Sequence, residues 1–219
     1  MATIGVIDYG AGNLRNVYNA VKAVGAESRI VRDPGDLDGL ATLILPGVGA
    51  FGDCLRQLEN QGLIGPVRDW IEADRPYLGI CLGYQILFES SEESPGVNGL
   101  GILPGKVVHF PMGDLKIPHM GWNKVEPTDP AHPLWDGLEG APHAYFVHSY
   151  YPQPADDSLV GSTSEYGLRF ASCVIRGNLA ATQFHPERSQ KVGLRILRNF
   201  LEKMAGEKTS PAEPAASEG

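Results

Sequence analysis

Apolar positions along this chain follow two rhythms. In the first half, short unbroken apolar runs alternate with stretches where apolar residues recur every three or four positions. That is the pattern of buried strands alternating with amphipathic helices. Residues 3–8 (TIGVID) read as a buried strand, and residues 13–24 as a helix with Leu14, Val17, Val21 and Val24 on its core face. Residues 28–31 form a second strand, and residues 41–45 a third that stops at Pro46-Gly47. Helices are expected near 52–60 and 66–73, then a fourth strand at 77–80 running straight into a helix at 82–88.

The second half reads as mainly extended: residues 106–110, 117–125, 144–147, 159–164, 170–176 and 178–183, with Arg176-Gly177-Asn178 as a turn. These stretches are expected at the antiparallel edge of a mixed sheet. A last helix is expected at 190–204, with Ser189 as N-cap and Val192, Ile196, Leu197, Phe200 and Leu201 on one face. The fold class is therefore α/β, a mostly parallel mixed sheet flanked by helices. Residues 206–219 carry no large apolar side chain and are expected to be a disordered tail behind a single domain at 1–205.

Composition narrows the function classes. A chain of 219 residues, 42% apolar and 20% charged, can bury one substantial core. A net charge of -8 repels phosphate backbones and disfavours nucleic acid as a partner. No apolar run reaches the roughly 18 residues of a membrane span. The first residues lack a basic targeting segment, so the expected compartment is the cytoplasm. The cysteines, Cys54, Cys81 and Cys173, are odd in number and widely spaced, which argues against disulfides and a structural zinc site.

Cys81 stands in Gly79-Ile80-Cys81-Leu82-Gly83, between a strand and a helix. This is the cysteine counterpart of a nucleophile elbow, in which glycines two residues either side relieve clashes in a tight turn. The helix N-terminus there favours a thiolate. The plainer reading is a buried cysteine beside a structural turn, and that reading is preferred for Cys54 and Cys173, which lack such a context. A thiol nucleophile needs a base. His185, in Gln183-Phe184-His185-Pro186-Glu187, follows a strand end, and in an extended segment Glu187 would lie on its side of the chain. Glu187 would then orient one ring nitrogen while the other meets Cys81. A plain strand-end histidine and a metal ligand are the alternatives. His132 and His143 sit in proline-flanked loops, and His109 and His119 in extended stretches without an evident partner. An oxyanion would find one donor in the N–H of Leu82 and a second in the loop Pro46-Gly47-Val48-Gly49, which reads otherwise as a turn. Asp8-Tyr9-Gly10-Ala11-Gly12 is not a dinucleotide fingerprint, because Arg15 stands where its third glycine belongs.

Gly-Ile-Cys-Leu-Gly-Tyr-Gln at 79–85 and Phe-His-Pro-Glu at 184–187 resemble the signatures of the class I (triad) glutamine amidotransferases. Most of that family carries Pro-Gly-Gly at the oxyanion loop. The variant Pro46-Gly47-Val48-Gly49-Ala50-Phe51 is similar to a branch of it, the glutaminase subunits of imidazole glycerol phosphate synthases. So are Asp8-Tyr9-Gly10-Ala11-Gly12-Asn13-Leu14, Met120-Gly121-Trp122-Asn123 and Tyr145-Phe146-Val147-His148-Ser149-Tyr150, and the likeness runs over residues 4–201.

The resemblance implies a three-layer fold with Cys81, His185 and Glu187 catalytic and Gly47 and Val48 forming the oxyanion strand. Gly49, Gln85, Tyr145, His148, Ser149 and Tyr150 would hold glutamine. It implies no metal or organic cofactor, and a (β/α)-barrel cyclase as partner in a heterodimer, with ammonia passing through the barrel. Asn13, Asn16, Trp122 and Arg188 would lie near that interface. Arg188 departs from the lysine frequent after His-Pro-Glu, keeping the charge but changing its geometry. The plainer readings are a helix cap for Asn13, a solvated helix position for Asn16 and a core aromatic for Trp122. Two other functions stay open: another amidotransferase or stand-alone cysteine hydrolase, and a catalytically silent regulatory subunit.

Overall fold

A computed structural model describes residues 3–10, 13–111, 115–207 and 209. The first half contributes β1 (Ile4–Ile7), α1 (Leu14–Ala23), β2 (Ser28–Val31), β3 (Thr42–Gly47), α2 (Phe51–Asn60), α3 (Ile64–Glu72), β4 (Tyr77–Cys81) and α4 (Leu82–Gln85). The second half adds β5 (Ser90–Ser91), β6 (Gly105–His109), β7 (His119–Lys124), β8 (Glu126–Pro127), β9 (His143–His148), β10 (Tyr150–Pro154), β11 (Val160–Glu165), β12 (Arg169–Arg176), β13 (Leu179–Thr182) and α5 (Gln190–Asn199).

An eight-stranded sheet in the order β2-β1-β3-β4-β13-β12-β11-β8 forms the middle layer. Strands from β2 to β13 run parallel, and β12, β11 and β8 follow antiparallel at one edge. Side chains alternate between its two faces, as a strand's twofold repeat requires. Ile44, Leu78, Ile80 and Ala180 join one core with Val17 and Val21 of α1 and Ile196 and Leu197 of α5. Leu43, Leu45, Tyr77 and Ala181 join the other with Leu55 and Leu58 of α2 and Val67 and Ile71 of α3. Burial on both faces explains why these strands read as unbroken apolar runs.

Several expectations are corrected. Not all of the second-half strands reach the main sheet: β10-β6-β5 and β7-β9 form two smaller sheets of their own. β10, at Tyr150–Pro154, carries two prolines, which hid it as a strand. β3 does not stop before Pro46 but continues through Gly47, pairing with β4 up to Gly47↔Cys81. Proline is tolerated there because the ladder to β1 has already ended at Val6↔Ile44. The helix expected at 82–88 is α-helical only over Leu82–Gln85. Beyond it the bonds tighten, Leu87 N–H to Tyr84 and Phe88 N–H to Gln85, while Leu100, Gly101 and Ile102 take the carbonyls of Ile86, Phe88 and Leu87. The last helix is α-helical to Asn199 and then a π turn over Phe200–Met204.

Ser189 does not cap α5: its hydroxyl donates to the His185 carbonyl at 2.7 Å and accepts the Tyr145 N–H at 2.9 Å. Within the stretch expected to be a tail, Glu207 accepts hydrogen bonds from Thr3 Oγ1 at 2.6 Å and Thr42 Oγ1 at 3.0 Å. Most of that stretch, like Ala11 and Gly12, lies outside the described residues. Among the described residues no helix is long and apolar enough to cross a membrane.

Candidate active site

The parallel strands end side by side. β1 leads to Tyr9, β3 to Val48, β4 to Cys81, and β13 to Gln183 and His185, so chain segments more than a hundred residues apart meet at one sheet edge. Ligand sites of open α/β sheets lie at this carboxyl end. Here a cleft of about 430 Å³ is lined by Val48, Gly49, Cys81, Leu82, Gln85, His148, Ser149, Tyr150, His185 and Arg188, among others.

Cys81 sits on a strained turn, with φ 55° and ψ -102°, a conformation rare for a residue with a side chain. A Cβ on Gly79 would come within 2.5 Å of the Gly83 carbonyl oxygen, and one on Gly83 within 1.9 Å of the Leu45 oxygen. Both elbow glycines are therefore required by backbone contact. Because α4 is a single turn, its dipole contributes little at the sulfur. Cys81 keeps 8% of its surface exposed, whereas Cys54 and Cys173 are sealed in the core. Burial pushes the Cys54 thiol up to about 12 and Cys173 higher still.

His185 Nδ1 lies 2.8 Å from Glu187 Oε1, both side chains about 1% exposed. The pair does not lie on an extended strand as expected, since residues Pro186–Arg188 form a 3-10 turn. That turn still brings the carboxylate under the ring. The His185 N–H bonds to the Tyr145 carbonyl at 2.9 Å, which with Ser189 stitches the turn to β9. With Nδ1 taken by Glu187, Nε2 is the ring nitrogen left for Cys81, which acts on the ring electrostatically; Nε2 is buried and without a hydrogen-bond partner. Burial lowers the ring's proton affinity, but negative charge at Cys81 and then Glu187 outweighs it and holds His185 up at about 10.

Glu187 has a second donor on the same oxygen, the Asn13 side-chain amide, and Asn16 Nδ2 donates to Asn13 Oδ1 at 2.5 Å. Asn13 is thus not a helix cap: it takes φ 83° and its side chain turns inward. The oxyanion candidates surround the sulfur differently. Gly47 is the ladder partner of Cys81, and Leu82 follows it directly. The Val48 N–H, however, is engaged by Tyr9 Oη at 3.1 Å, and the same hydroxyl donates to the Val48 carbonyl at 3.2 Å. Gln85 gives its amide hydrogens to Tyr150 O and Gln183 Oε1, each at 3.1 Å, so it offers a ligand its carbonyl oxygen.

The remaining candidates divide by face. His148 is buried and its Nδ1 donates to Tyr150 O at 2.8 Å. Its ladder partner His119 lies 3.0 Å away, ring to ring, stacked between Phe146 and Tyr166. His119 therefore has the partner that was not evident from its position in the chain. Burial holds His119 down at about 4 and His148 at about 3. On the outer side Trp122 is 48% exposed rather than a core aromatic, and it meets its ladder partner Tyr145 edge-on. Arg188 lies over the same Tyr145 ring at 4.3 Å. His143 opens β9 instead of lying in a loop, and His132 Nδ1 accepts the Leu134 N–H at 3.2 Å.

No pattern along the chain assigns a role to Tyr9 or Gln183. Gln183 was detectable only as the neighbour of Phe-His-Pro-Glu, and Tyr9 only as part of the first-loop motif. Among the described residues no three His, Cys, Asp or Glu side chains gather as a metal site.

Comparison with known proteins gives the family and the fold. The family glutamine amidotransferase class-I matches residues 5–204. The chain is 50% identical over 202 residues to the imidazole glycerol phosphate synthase subunit HisH of Syntrophotalea carbinolica, covering 89% of this chain and 97% of that one. It is 45% identical over 203 residues to the subunit of the same name from Acinetobacter baylyi, covering 92% and 98%. A solved glutamine amidotransferase superposes with a TM-score of 0.74 at 26% identity, covering 94% of this chain and all (100%) of that one.

Proposed function

From the premise that this chain belongs to the class I glutamine amidotransferase family, we propose that it is the glutaminase subunit of an imidazole glycerol phosphate synthase. It hydrolyses glutamine and passes ammonia to a cyclase subunit in histidine biosynthesis, in the cytoplasm. The observation that carries the chemistry is the buried His185–Glu187 pair, 2.8 Å apart, behind a cleft that Cys81 and His185 both line, with the unpartnered Nε2 of His185 left for the sulfur.

In the first half-reaction the Cys81 sulfur attacks the side-chain amide carbon of glutamine. The oxyanion is met by the Leu82 N–H and, once it turns inward, by a donor from the Gly47-Val48 strand. His185, oriented by Glu187, gives its proton to the departing ammonia, leaving a thioester. In the second, water attacks the thioester while His185 takes its proton, and glutamate leaves with Cys81 restored. Glu187 and Asn13 keep the ring oriented. Gly49, Gln85 and the segment His148, Ser149 and Tyr150 frame the glutamine; Tyr145, expected among them, does not line the cleft, and its ring instead supports Trp122 and Arg188 on the outer side.

The partner is proposed to be a (β/α)-barrel cyclase docking over Trp122, Arg188 and the loop carrying Asn13 and Asn16. The Tyr9 hold on Val48 supports a resting state that the partner relieves. The deciding experiment measures glutamate release by the chain alone, then with a purified cyclase subunit and its ribonucleotide ligand. Strong activation only in the complex is expected. Equal activity in both would discard the synthase assignment, and none in either would favour a silent subunit.

A further inference from the structure

We propose that Gln183 is a catalytic residue of this site, donating its side-chain amide to the Cys81 sulfur and so stabilising it as an anion. The inference rests on the assignment of Cys81 as nucleophile. Gln183 is fully buried just beyond β13, and its Nε2 lies 3.5 Å from Cys81 Sγ. A thiol accepts hydrogen bonds weakly, whereas a charged acceptor roughly doubles their strength, so this contact acts mainly on the thiolate.

The orientation of that amide matters, because a flip would set Oε1 against the sulfur and repel it. Neighbouring groups settle which end faces Cys81. The Tyr150 carbonyl can only accept, so the Gln85 atom 3.1 Å from it must be the nitrogen. The same nitrogen lies 3.1 Å from Gln183, whose facing atom must then be Oε1, and this leaves Nε2 for the sulfur. Tyr150 O is itself fixed by His148 Nδ1 at 2.8 Å. With that nitrogen protonated, His148 Nε2 accepts from His119 Nδ1 at 3.0 Å, and His119 Nε2 from Asn123 Nδ2 at 3.2 Å. Each member has one tautomer or amide orientation that satisfies its neighbours.

The test is the rate of Cys81 alkylation by iodoacetamide over a pH series on the full chain, with peptide mass mapping to separate Cys54 and Cys173. Gln183→Met keeps the length of the side chain and removes the donor. It is expected to slow alkylation about tenfold near neutral pH, the loss of one hydrogen bond to a charged group. The rates should converge in alkali, where the thiol ionises unaided, a pattern that a packing defect does not produce. Parent rates throughout the series, in a variant with the parent's melting temperature, overturn the proposal. Should the variant not fold, the side-chain amide of Gln183 in the 15N-labelled parent chain replaces it. Its resonance is expected to move with the midpoint of the alkylation profile, and a resonance that stays put overturns the proposal. Alkylation needs no glutamine, so a chain that is alkylated but inactive on glutamine both alone and with the cyclase subunit and its ligand would refute the glutaminase assignment and leave this test standing.

Discussion

The hydroxyl of Tyr9 accepts the N–H of Val48 at 3.1 Å and donates to the carbonyl of that same residue at 3.2 Å. One side chain from the loop after β1 thereby fixes the peptide orientation at the end of β3, beside the nucleophile. With its N–H turned to Tyr9, Val48 offers no donor to an oxyanion. Tyr9→Phe removes the hold and leaves the ring. Hydrogen bonds of this kind contribute about 1 kcal/mol each and the variant loses both, so glutaminase activity of the isolated chain is expected to rise by up to about thirtyfold. Activation by the partner should shrink correspondingly, because the variant begins nearer the active state. Basal activity at or below the parent's, with full activation retained, would sink this view of the loop.

Glu187 holds His185 through a single oxygen that Asn13 shares. Glu187→Gln preserves shape but can present an N–H to Nδ1, favouring the wrong tautomer, and should lower kcat by ~10²-fold or more. Cys81→Ala should remove at least ~10³-fold of the glutaminase rate. Asn13→Ala is expected to lower kcat more mildly with little change in KM. Steady-state kinetics on the complex checks all three, and a Cys81→Ala protein that still releases glutamate disproves the mechanism.

His119 and His148 bear on stability. Their folded-state values, about 4 and about 3, lie below the ordinary 6.5, so the unfolded chain binds more protons between these limits. Their contribution is intact above pH 6.5 and is lost as pH falls toward 4 and then 3. His119→Phe keeps the stack on Phe146 and Tyr166 but cannot titrate. Urea unfolding between these limits should show a pH slope shallower than the parent's by up to about 1.4 kcal/mol per pH unit. Identical slopes would mean that the pair is not held neutral.

Trp122 and Met120 project from β7 with 48% and 62% of their surface exposed. Trp122→Ala should weaken affinity for the cyclase subunit about tenfold or more, as a central aromatic anchor does. The melting temperature of the free chain should change little, since Trp122 is 48% exposed and stands outside both hydrophobic cores. Titration calorimetry and a thermal melt measure both, and unaltered affinity would move the interface elsewhere.

The local chemistry was legible in the chain because it depends on near neighbours. Gly79 and Gly83 flank Cys81 at a spacing that only a tight turn requires, and the backbone approaches at both positions bear out that reason. The alternation of apolar runs with helical spacing likewise gave the parallel half of the sheet, because each strand is buried on both faces and each helix on one. Boundaries were less legible. Ser189 has the composition of a cap, yet its hydroxyl is drawn to His185 and Tyr145, partners that sequence distance conceals.

The elbow, the order of elements and the candidate nucleophile and base follow from interactions within a few residues along the chain, and a reader of the chain alone can find them. Long-range packing alone sets β13 beside β4, and this adjacency brings Gln183 and His185 to Cys81. The same packing makes Tyr9 restrain Val48, joins Asn13 to Glu187 and pairs His119 with His148. Those contacts join residues 29 to 174 positions apart. They exist because buried polar groups must find partners wherever the packed layers place them, and no local pattern in the chain records where that is.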